Sequence, residues 1–355
     1  MIRKKRKTNV ELFRIFLMMM IIAHHYVVNS GITDLWNSQH ITFNLLFLEL
    51  IGWGGKCGIN CFILITGFFM CKQKFSWMKF IKLALEIEFY SVVIYLLFVI
   101  SDYTPFSIKD FSKSILIIPL VIGKSFVGGY IVLYLLIPFI NATIAGINKK
   151  MMKQLIIILL CVYSIIPTLL YTHLYEYIGW YITVYLIGAY LRLYSPSWMS
   201  NTKKVNIFLL TNFLLVGISI LIMNYIDARK GNTLPWDIYY FVNDSNKILA
   251  ISTAVCLFVF FNHIKIGYIP FINKIALTTF GVFLIHAHSD TMRTLLWKDW
   301  LNVPSYYNNS MLWLHAITSV LIVYTICAAI DYLRIILLER PFFKFFQNRV
   351  QKNIC

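Results

Sequence analysis

Residues 7–28 read KTNVELFRIFLMMMIIAHHYVV, an apolar stretch with a cation near one end and two imidazoles near the other. About 20 mostly apolar residues suffice for an α-helix to cross a bilayer. His25 lies eleven positions after Arg14, and eleven helical steps return to within about 20° of the same direction after about 16 Å along the axis. We therefore expect both side chains on one stripe of one membrane helix. Ionisable groups inside a membrane are costly, and by default they indicate function.

The composition of the whole chain is that of an integral membrane protein. Of its 355 residues, 59% are hydrophobic and 13% are charged, about half the charged fraction of a typical soluble domain. Apolar runs of spanning length recur from end to end, so the sequence predicts an all-α, polytopic membrane helical bundle with about ten transmembrane helices. The predicted spans are 10–29, 50–71, 78–100, 128–146, 152–171, 178–194, 205–226, 247–264, 272–290 and 311–335.

The net charge of +17 is explained by topology rather than by nucleic-acid binding. With the N-terminus in the cytoplasm, 22 of the 32 Lys and Arg residues fall on that side, eight fall outside, and Arg14 and Lys56 lie within or beside spans. This asymmetry follows the positive-inside rule and places both termini in the cytoplasm. The basic surplus then sets orientation and contacts anionic lipids of the cell membrane. We therefore expect a multi-pass protein of a bacterial cytoplasmic membrane.

The chain shows no composition break, so we expect one transmembrane domain over residues 1–355 with no appended soluble domain. The longest predicted external connections, 101–127, 227–246 and 290–310, are too short to fold as an enzyme, and any chemistry is expected within the bundle. The segment 112–123 is too short to span and is expected at the external interface or re-entering the membrane. Cys57 and Cys61 have helical spacing but no neighbouring His or carboxylate, so no metal is predicted.

Charged residues of the first and third spans are expected to meet near the cytoplasmic surface. Glu11 lies one turn before Arg14, and the third span carries Lys82, Glu86 and Glu88. Carboxylates at this depth need partners, so we expect Arg14 to cluster with the three charged residues of the third span in a cationic, donor-binding mouth, with Glu11 as the helical partner of the arginine. For the two glutamates of the third span, structural ion pairing is the favoured role. For the arginine, snorkelling to the lipid headgroups is the alternative.

Two histidines from distant spans are predicted to reach one depth near the external surface. His25 lies towards the outer end of the first span, and the ninth span runs outward to His286. Because imidazole titrates near neutral pH, the pair is a candidate for general-base catalysis or for orienting a substrate. His24 does not share the stripe of the arginine, and His288 and Asp290 lie nearer the rim.

The second span carries two polar residues that are candidates for substrate contact. Lys56 and Asn60 lie in the glycine-rich sequence GGKCGINCFILITGFFMC, in or next to the bilayer. Either side chain has two roles open to it, contact with substrate or satisfaction by neighbouring helices. There is no phosphate-binding loop, HExxH motif or GxSxG elbow. The lack of a nucleophile beside the histidines favours direct transfer.

Four segments, in order along the chain, resemble the integral-membrane acyltransferase family 3. The opening NVELFRIFLMMMIIAHH resembles the family's first helix, whose Arg and His, ten residues between them, fall on Arg14 and His25, with Glu11 in place of a frequent acidic residue. GINCFILITGFF resembles the second-helix pattern, with Thr66 where Ser is common. IALTTFGVFLIH resembles the late helix that ends in a histidine, here His286, and DYLRIILLERPFFKFF resembles the closing cytoplasmic helix.

The resemblance implies an O-acyltransferase that moves an acyl group, usually acetyl, from cytoplasmic acetyl-CoA to a hydroxyl of an extracytoplasmic or lipid-linked polysaccharide, such as a capsule or exopolysaccharide. In that reaction Arg14 and Lys82 would hold the anionic head of the donor. The ~16 Å along the helix to His25 would suit an extended pantetheine arm, and the imidazole would act as general base. The candidates for steadying the oxyanion are Asn60, Lys56 and His286. A two-step route through an acyl-imidazole on His25 stays open.

Three other functions compete with acyl transfer. A transporter or flippase for a glycan precursor would predict helix breaks in paired halves, and the sequence shows no internal repeat. A polysaccharide polymerase would favour a long external loop rich in Arg. A membrane scaffold would leave the common register of Arg14 and His25 unexplained. The sequence therefore favours the acyltransferase, with the flippase as the alternative, and leaves the oligomeric state open.

Overall fold

The computed structural model describes residues 6–122, 125–170, 176–231 and 238–345, and every regular element in these ranges is helical. The helices are α1 (Thr8–Val28), α2 (Phe43–Gly52), α3 (Gly54–Met70), α4 (Trp77–Ile100), α5 (Ile108–Ile115), α6 (Ile117–Val121), α7 (Phe126–Gly146), α8 (Lys149–Leu160), α9 (Ile166–Leu169), α10 (Tyr177–Tyr194), α11 (Thr202–Arg229), α12 (Ile248–His263), α13 (Pro270–Ile275), α14 (Thr279–His286), α15 (Asp290–Arg293) and α16 (Leu312–Arg334).

The all-helical membrane fold predicted from the sequence is confirmed, although fewer helices than ten meet a strict test for spanning. Within the described ranges, seven helices are long and apolar enough to cross a membrane. An eighth span is formed if Pro270–His286 and Asp290–Trp300, which bend by 97°, are taken together. Helices also occupy the two other predicted positions, but α12 has only 16 residues and α10 lies deep in the bundle.

Helix α1 lies at the centre of the bundle, where it packs against α2, α3, α12, α13, α14 and α16. It begins after Lys7, and a carboxylate in its first turn complements the helix dipole. At this end the Thr8 hydroxyl accepts a hydrogen bond from the Asn273 side chain at 2.9 Å. Because α1 and α13–α14 start side by side and run in the same direction, their far ends are also neighbours.

The second span is continuous in composition but bends where α2 meets α3, at Trp53. Helix α3 then packs very closely against α10. A Cβ at Gly67 would lie 2.2 Å from the Tyr185 carbonyl oxygen, and a Cβ at Gly188 would lie 2.5 Å from the Leu64 carbonyl oxygen. The reciprocal glycines therefore permit a helix contact that larger residues would exclude. This contact fixes α3, which carries Lys56 and Asn60.

Two short helices, α5 and α6, occupy most of the segment that the sequence predicted to be too short to span. They pack against α4 and α7. Apolar side chains on their outer side are exposed, including Ile108 and Leu116. Ser107, Asp110, Lys113 and Ser114 instead line the central cavity described next.

Candidate active site

A cavity of about 1020 Å³ lies between α1, α3, α4 and the bend after α14. Its lining includes Ile21 of α1, Ile87 and Tyr90 of α4, and residues of the chain around α5 and α15. Besides the polar residues around α5, several polar side chains of the bundle line it. Among these are His24, His25, Asn29, Lys56, Tyr90, Asn243, His288 and Arg293.

The structure brings together the two imidazoles that the sequence placed at one depth. His25 Nδ1 lies 3.0 Å from His286 Nε2, and His286 Nδ1 lies 2.6 Å from the Val282 carbonyl oxygen. His286 is buried behind His25, whereas His25 lines the cavity. The two helices that supply the rings are parallel neighbours, which explains why residues near their C-terminal ends meet.

The hydrogen-bond chain fixes which nitrogen of each neutral ring carries the proton. A carbonyl oxygen only accepts, so His286 Nδ1 must donate to Val282, and its Nε2 is then an acceptor. His25 therefore donates from Nδ1 to His286. The lone pair of His25 is left on Nε2, the nitrogen that has no partner within the protein among the described residues. An imidazole held in this way is a base directed at the cavity.

Lys56 supplies a cation to the same cavity. Its ammonium lies 3.2 Å from Asp244 Oδ1. It is also close enough to His24 and His25 to interact electrostatically with both rings. Both members of the ion pair are partly exposed, with 29% and 39% of their side chains accessible. The pair therefore retains hydrogen-bonding capacity for a bound molecule.

Arg293, which the sequence did not suggest as a site residue, is another cation of the cavity wall. It forms a local ion pair with Asp290 at 2.7 Å, while its Nε–H is buried without a hydrogen-bond partner. Its guanidinium also interacts electrostatically with the rings of His25 and His286. Residue 293 follows the sharp bend after α14, which turns it back towards the cavity. In the sequence, only the polar stretch His288–Asp290 marks the position of that bend.

Asn60 does not lie on the cavity, contrary to its predicted role as a possible oxyanion donor. It is fully buried, donates to the Ser245 carbonyl oxygen at 2.6 Å, and accepts from Trp180 Nε1 at 3.0 Å. Both ends of its amide are thus used to join α3 to α10 and to the chain before α12. The side chain is satisfied by its neighbours, the second of the two roles left open by the sequence.

Arg14 lies on α1 as predicted but does not line the cavity. Its guanidinium is 3.5 Å from Glu11 Oε2, an atom that Arg6 also approaches at 3.3 Å. The innermost α1 residue of the cavity, Ile21, is seven residues away, about 10 Å along the axis. Buried Leu17 lies between them.

The expected cluster of Arg14 with the charges of α4 is not formed. Glu86 instead pairs with Arg334 at 2.9 Å, and Lys82 pairs with Glu339 at 2.6 Å. Arg334 is buried and also binds Asp331 and Glu339, at 2.7 and 3.0 Å. Arg334 is one of the 22 basic residues that the sequence assigned to the cytoplasmic side. The closing helical span continues past it, as Leu312–Phe345, and its side chain is buried within the bundle.

Of the polar groups next to this network, Tyr90 joins it by a hydrogen bond and Glu88 does not. Tyr90, which lines the cavity, donates to Asp331 Oδ1 at 2.8 Å. One carboxylate oxygen of Glu88 is buried without a partner, so this glutamate does not join the network by a hydrogen bond. The ion pairs therefore join α4 to α16 and to the chain that follows it, and they engage both Lys82 and Glu86.

No metal-binding constellation is visible in the described part of the chain: no three His, Cys, Asp or Glu residues gather as ligands there. The six cysteines within it are free. Cys57 and Cys61 are both buried, and the Cys61 thiol donates to the Ala254 carbonyl oxygen at 3.6 Å.

The cavity of this helical membrane bundle thus holds an oriented imidazole beside the cations Lys56 and Arg293, a combination that can bind a polar or anionic molecule and accept a proton from it. A family model described as an acyltransferase domain, that of acyltransferase family 3, matches residues 7–332. The chain therefore belongs to the acyltransferase 3 family and is a multi-pass membrane acyltransferase that uses an acyl donor. The match runs from the first residue before α1 to α16, and it confirms the resemblance seen in the sequence. Neither the curated proteins nor the solved structures gave a match.

Proposed function

We propose that this protein is an O-acyltransferase that moves an acetyl group from cytoplasmic acetyl-CoA to a hydroxyl of an extracytoplasmic or lipid-linked cell-surface polysaccharide. The observation that carries the proposal is the orientation of His25, whose Nε2 lone pair faces the cavity while Nδ1 is held by His286. Family membership supplies the reaction class. The acetyl donor and the polysaccharide acceptor are the parts that we propose.

His25 acts as the general base in a single displacement. As the acceptor oxygen attacks the thioester carbonyl, its proton moves to His25 Nε2. The tetrahedral intermediate collapses with cleavage of the carbon–sulfur bond. The imidazolium then returns the proton to the departing thiolate, so the products are an ester and free coenzyme A. His286 touches neither reactant and acts as a positioning residue.

Lys56 is the favoured donor to the oxyanion. Of the three candidates from the sequence, Asn60 lies away from the cavity with both ends of its amide engaged, and both nitrogens of His286 are engaged. Lys56 lines the cavity beside His25, and a preorganised cation is effective where negative charge develops. Arg293, with its buried and unpaired Nε–H, is the second candidate for this role.

Arg14 is proposed to bind the phosphates of the donor, with Glu11 orienting its guanidinium. Basic residues gather at this end of α1, where Arg6, Lys7 and Lys265 line a second cavity of about 500 Å³. The donor's arm then has to pass the stretch between Arg14 and Ile21, where α1 is closely packed. We infer that this stretch opens when the donor binds.

The experiment that tests the proposal uses the purified protein in lipid nanodiscs with radiolabelled acetyl-CoA and a panel of alkyl glycosides. We expect a labelled ester that is released by mild alkali, with one molecule of coenzyme A formed for each ester. Propionyl-CoA and succinyl-CoA serve as competing donors. Absence of transfer to every glycoside, with translocation of a fluorescent lipid-linked sugar across liposomes, would support the flippase instead.

A further inference from the structure

A second imidazole, which the proposed reaction leaves unused, lines the cavity next to His25. The ring centroids of His24 and His25 lie 5.6 Å apart, and both rings face the cavity. His24 Nδ1 contacts the Gly52 carbonyl oxygen at the end of α2. Its ring lies against Gly55, where a Cβ would lie 2.4 Å from two of the ring atoms. A glycine at this position therefore makes room for the ring.

The contact with Gly52 decides what His24 offers to a ligand. Because the carbonyl oxygen only accepts, Nδ1 carries the proton of the neutral ring, and Nε2 presents a lone pair. His25 presents its own lone pair from Nε2 in the same way. The cavity wall therefore holds two neighbouring hydrogen-bond acceptors, and the Lys56 charge acts on both rings.

The proposed chemistry needs only one of these acceptors, because one hydroxyl is acylated at a time. A hydroxyl of the acceptor reaches each nitrogen through a hydrogen bond of about 2.8 Å. Two rings at this spacing therefore suit two hydroxyl groups on neighbouring carbons of one sugar ring. A role for His24 as a brace between α1 and α2 would use Nδ1 alone and would not depend on Nε2.

We propose that His24 is a specificity-determining residue that accepts a hydrogen bond from the hydroxyl adjacent to the one that is acylated. The preferred acceptor would then be a sugar with two neighbouring free hydroxyl groups. This inference rests on the proposed O-acyltransferase function and names the chemistry of its acceptor. His24 takes no part in bond making and serves to select and orient the sugar.

Two substitutions separate the two nitrogens of His24. In His24→Asn, the amide nitrogen takes the place of Nδ1 and still donates to Gly52, but nothing accepts at the Nε2 position. In His24→Gln, the longer amide places an oxygen near the Nε2 position and loses the contact with Gly52. A specificity role ranks the Gln variant above the Asn variant in acceptor selection, whereas a brace role gives the opposite order for stability and activity.

The experiment measures kcat/KM in nanodiscs for decyl glycosides and for their monodeoxy analogues, after the acetylated position of the product has been identified by NMR. For the wild type, removal of the hydroxyl next to the acetylated one should lower kcat/KM about tenfold, as expected for one lost hydrogen bond. Removal of a distant hydroxyl should change it less than twofold. In His24→Asn the tenfold preference should disappear, and in His24→Gln it should persist.

Equal preferences in the wild type and in folded His24→Asn would overturn the inference while leaving the proposed function intact. So would a wild type that is indifferent to the neighbouring hydroxyl, a result that needs no variant to fold. Absence of acetyl transfer by the wild type to any glycoside would instead overturn the proposed function, and the role of His24 with it. The two failures are therefore distinguishable.

Discussion

The substitution His286→Leu tests the hydrogen-bond chain that orients the proposed base. It removes the acceptor 3.0 Å from His25 Nδ1 and also the link to the Val282 carbonyl oxygen. The Nδ1–H of His25 is then left in a buried position without its partner, which costs about 1–3 kcal/mol. The ring can relieve this cost only by rotating or by moving its proton to Nε2, and either change removes the base from the cavity.

The expected decrease in kcat follows from the free-energy cost of keeping His25 in its productive orientation. A population penalty of about 1–3 kcal/mol lowers kcat about 5- to 150-fold. The KM for the donor should change little, because His286 does not line the cavity. His286→Gln is the matched control: its side-chain oxygen can accept from His25, so most of the activity should be retained.

The assay measures initial rates of acetyl transfer over a range of acetyl-CoA concentrations, with size-exclusion profiles and thermal unfolding to establish that each variant is folded. The expected order of kcat is wild type, then His286→Gln, then His286→Leu. A folded His286→Leu with kcat within twofold of the wild type would refute the positioning role. An equal loss in both variants would also refute it, since only packing at this position would then matter.

Three further outcomes follow from the same geometry. Arg14→Gln should raise the KM for acetyl-CoA at least tenfold with a smaller effect on kcat; a change confined to kcat would contradict its role in donor binding. Lys56→Met should lower kcat about 100-fold and Lys56→Arg less, which steady-state rates at saturating donor would show; unchanged kcat in Lys56→Met would pass the oxyanion role to Arg293. Asn60→Ala should lower the free energy of unfolding by about 2–4 kcal/mol, because two buried partners lose their hydrogen bonds; near-normal specific activity is expected in the folded fraction, and stability equal to wild type by thermal or denaturant unfolding would contradict this.

The sequence was sufficient to predict the histidine pair because two simple rules placed it. The apolar runs predicted the helices and their order. Because successive spans cross the membrane in opposite directions, the order predicted that His25 and His286 lie at the same depth. Two rings near the outer ends of parallel helices need only a favourable rotation to meet, and neighbouring starts of α1 and α13 provide it.

The partners of the charged residues were not predictable in the same way. Glu86 was expected to meet Arg14 because both enter from one surface, but depth does not specify which helices are neighbours. The true partner, Arg334, was counted with the basic residues of the cytoplasmic side, although it lies at the end of the predicted span 311–335. Its burial depends on the continuation of the last span beyond α16 and on three carboxylates that surround it.

The sequence misplaced Asn60 on the cavity and overlooked Arg293, for two different physical reasons. An amide in an apolar helix reads the same whether it faces a substrate or a neighbouring helix, and only the packing of α3 on α10 decides between them. Arg293 was not a candidate because it lies in the predicted external connection 290–310, whereas chemistry was expected within the bundle. The 97° bend that directs it inward involves tertiary packing, which composition does not encode.

The central claim, that the His25 ring is the base for acyl transfer, is tested most directly by comparing His25→Ala with His263→Ala. The control removes an imidazole at the end of α12, away from the cavity. Rates of ester formation and equilibrium binding of acetyl-CoA are measured on the same nanodisc samples. We expect His25→Ala to bind the donor normally and to lose acetyl transfer by 10²–10⁴-fold, in the range of general-base catalysis, while His263→Ala retains wild-type rates. Wild-type transfer by a folded His25→Ala protein would contradict the account.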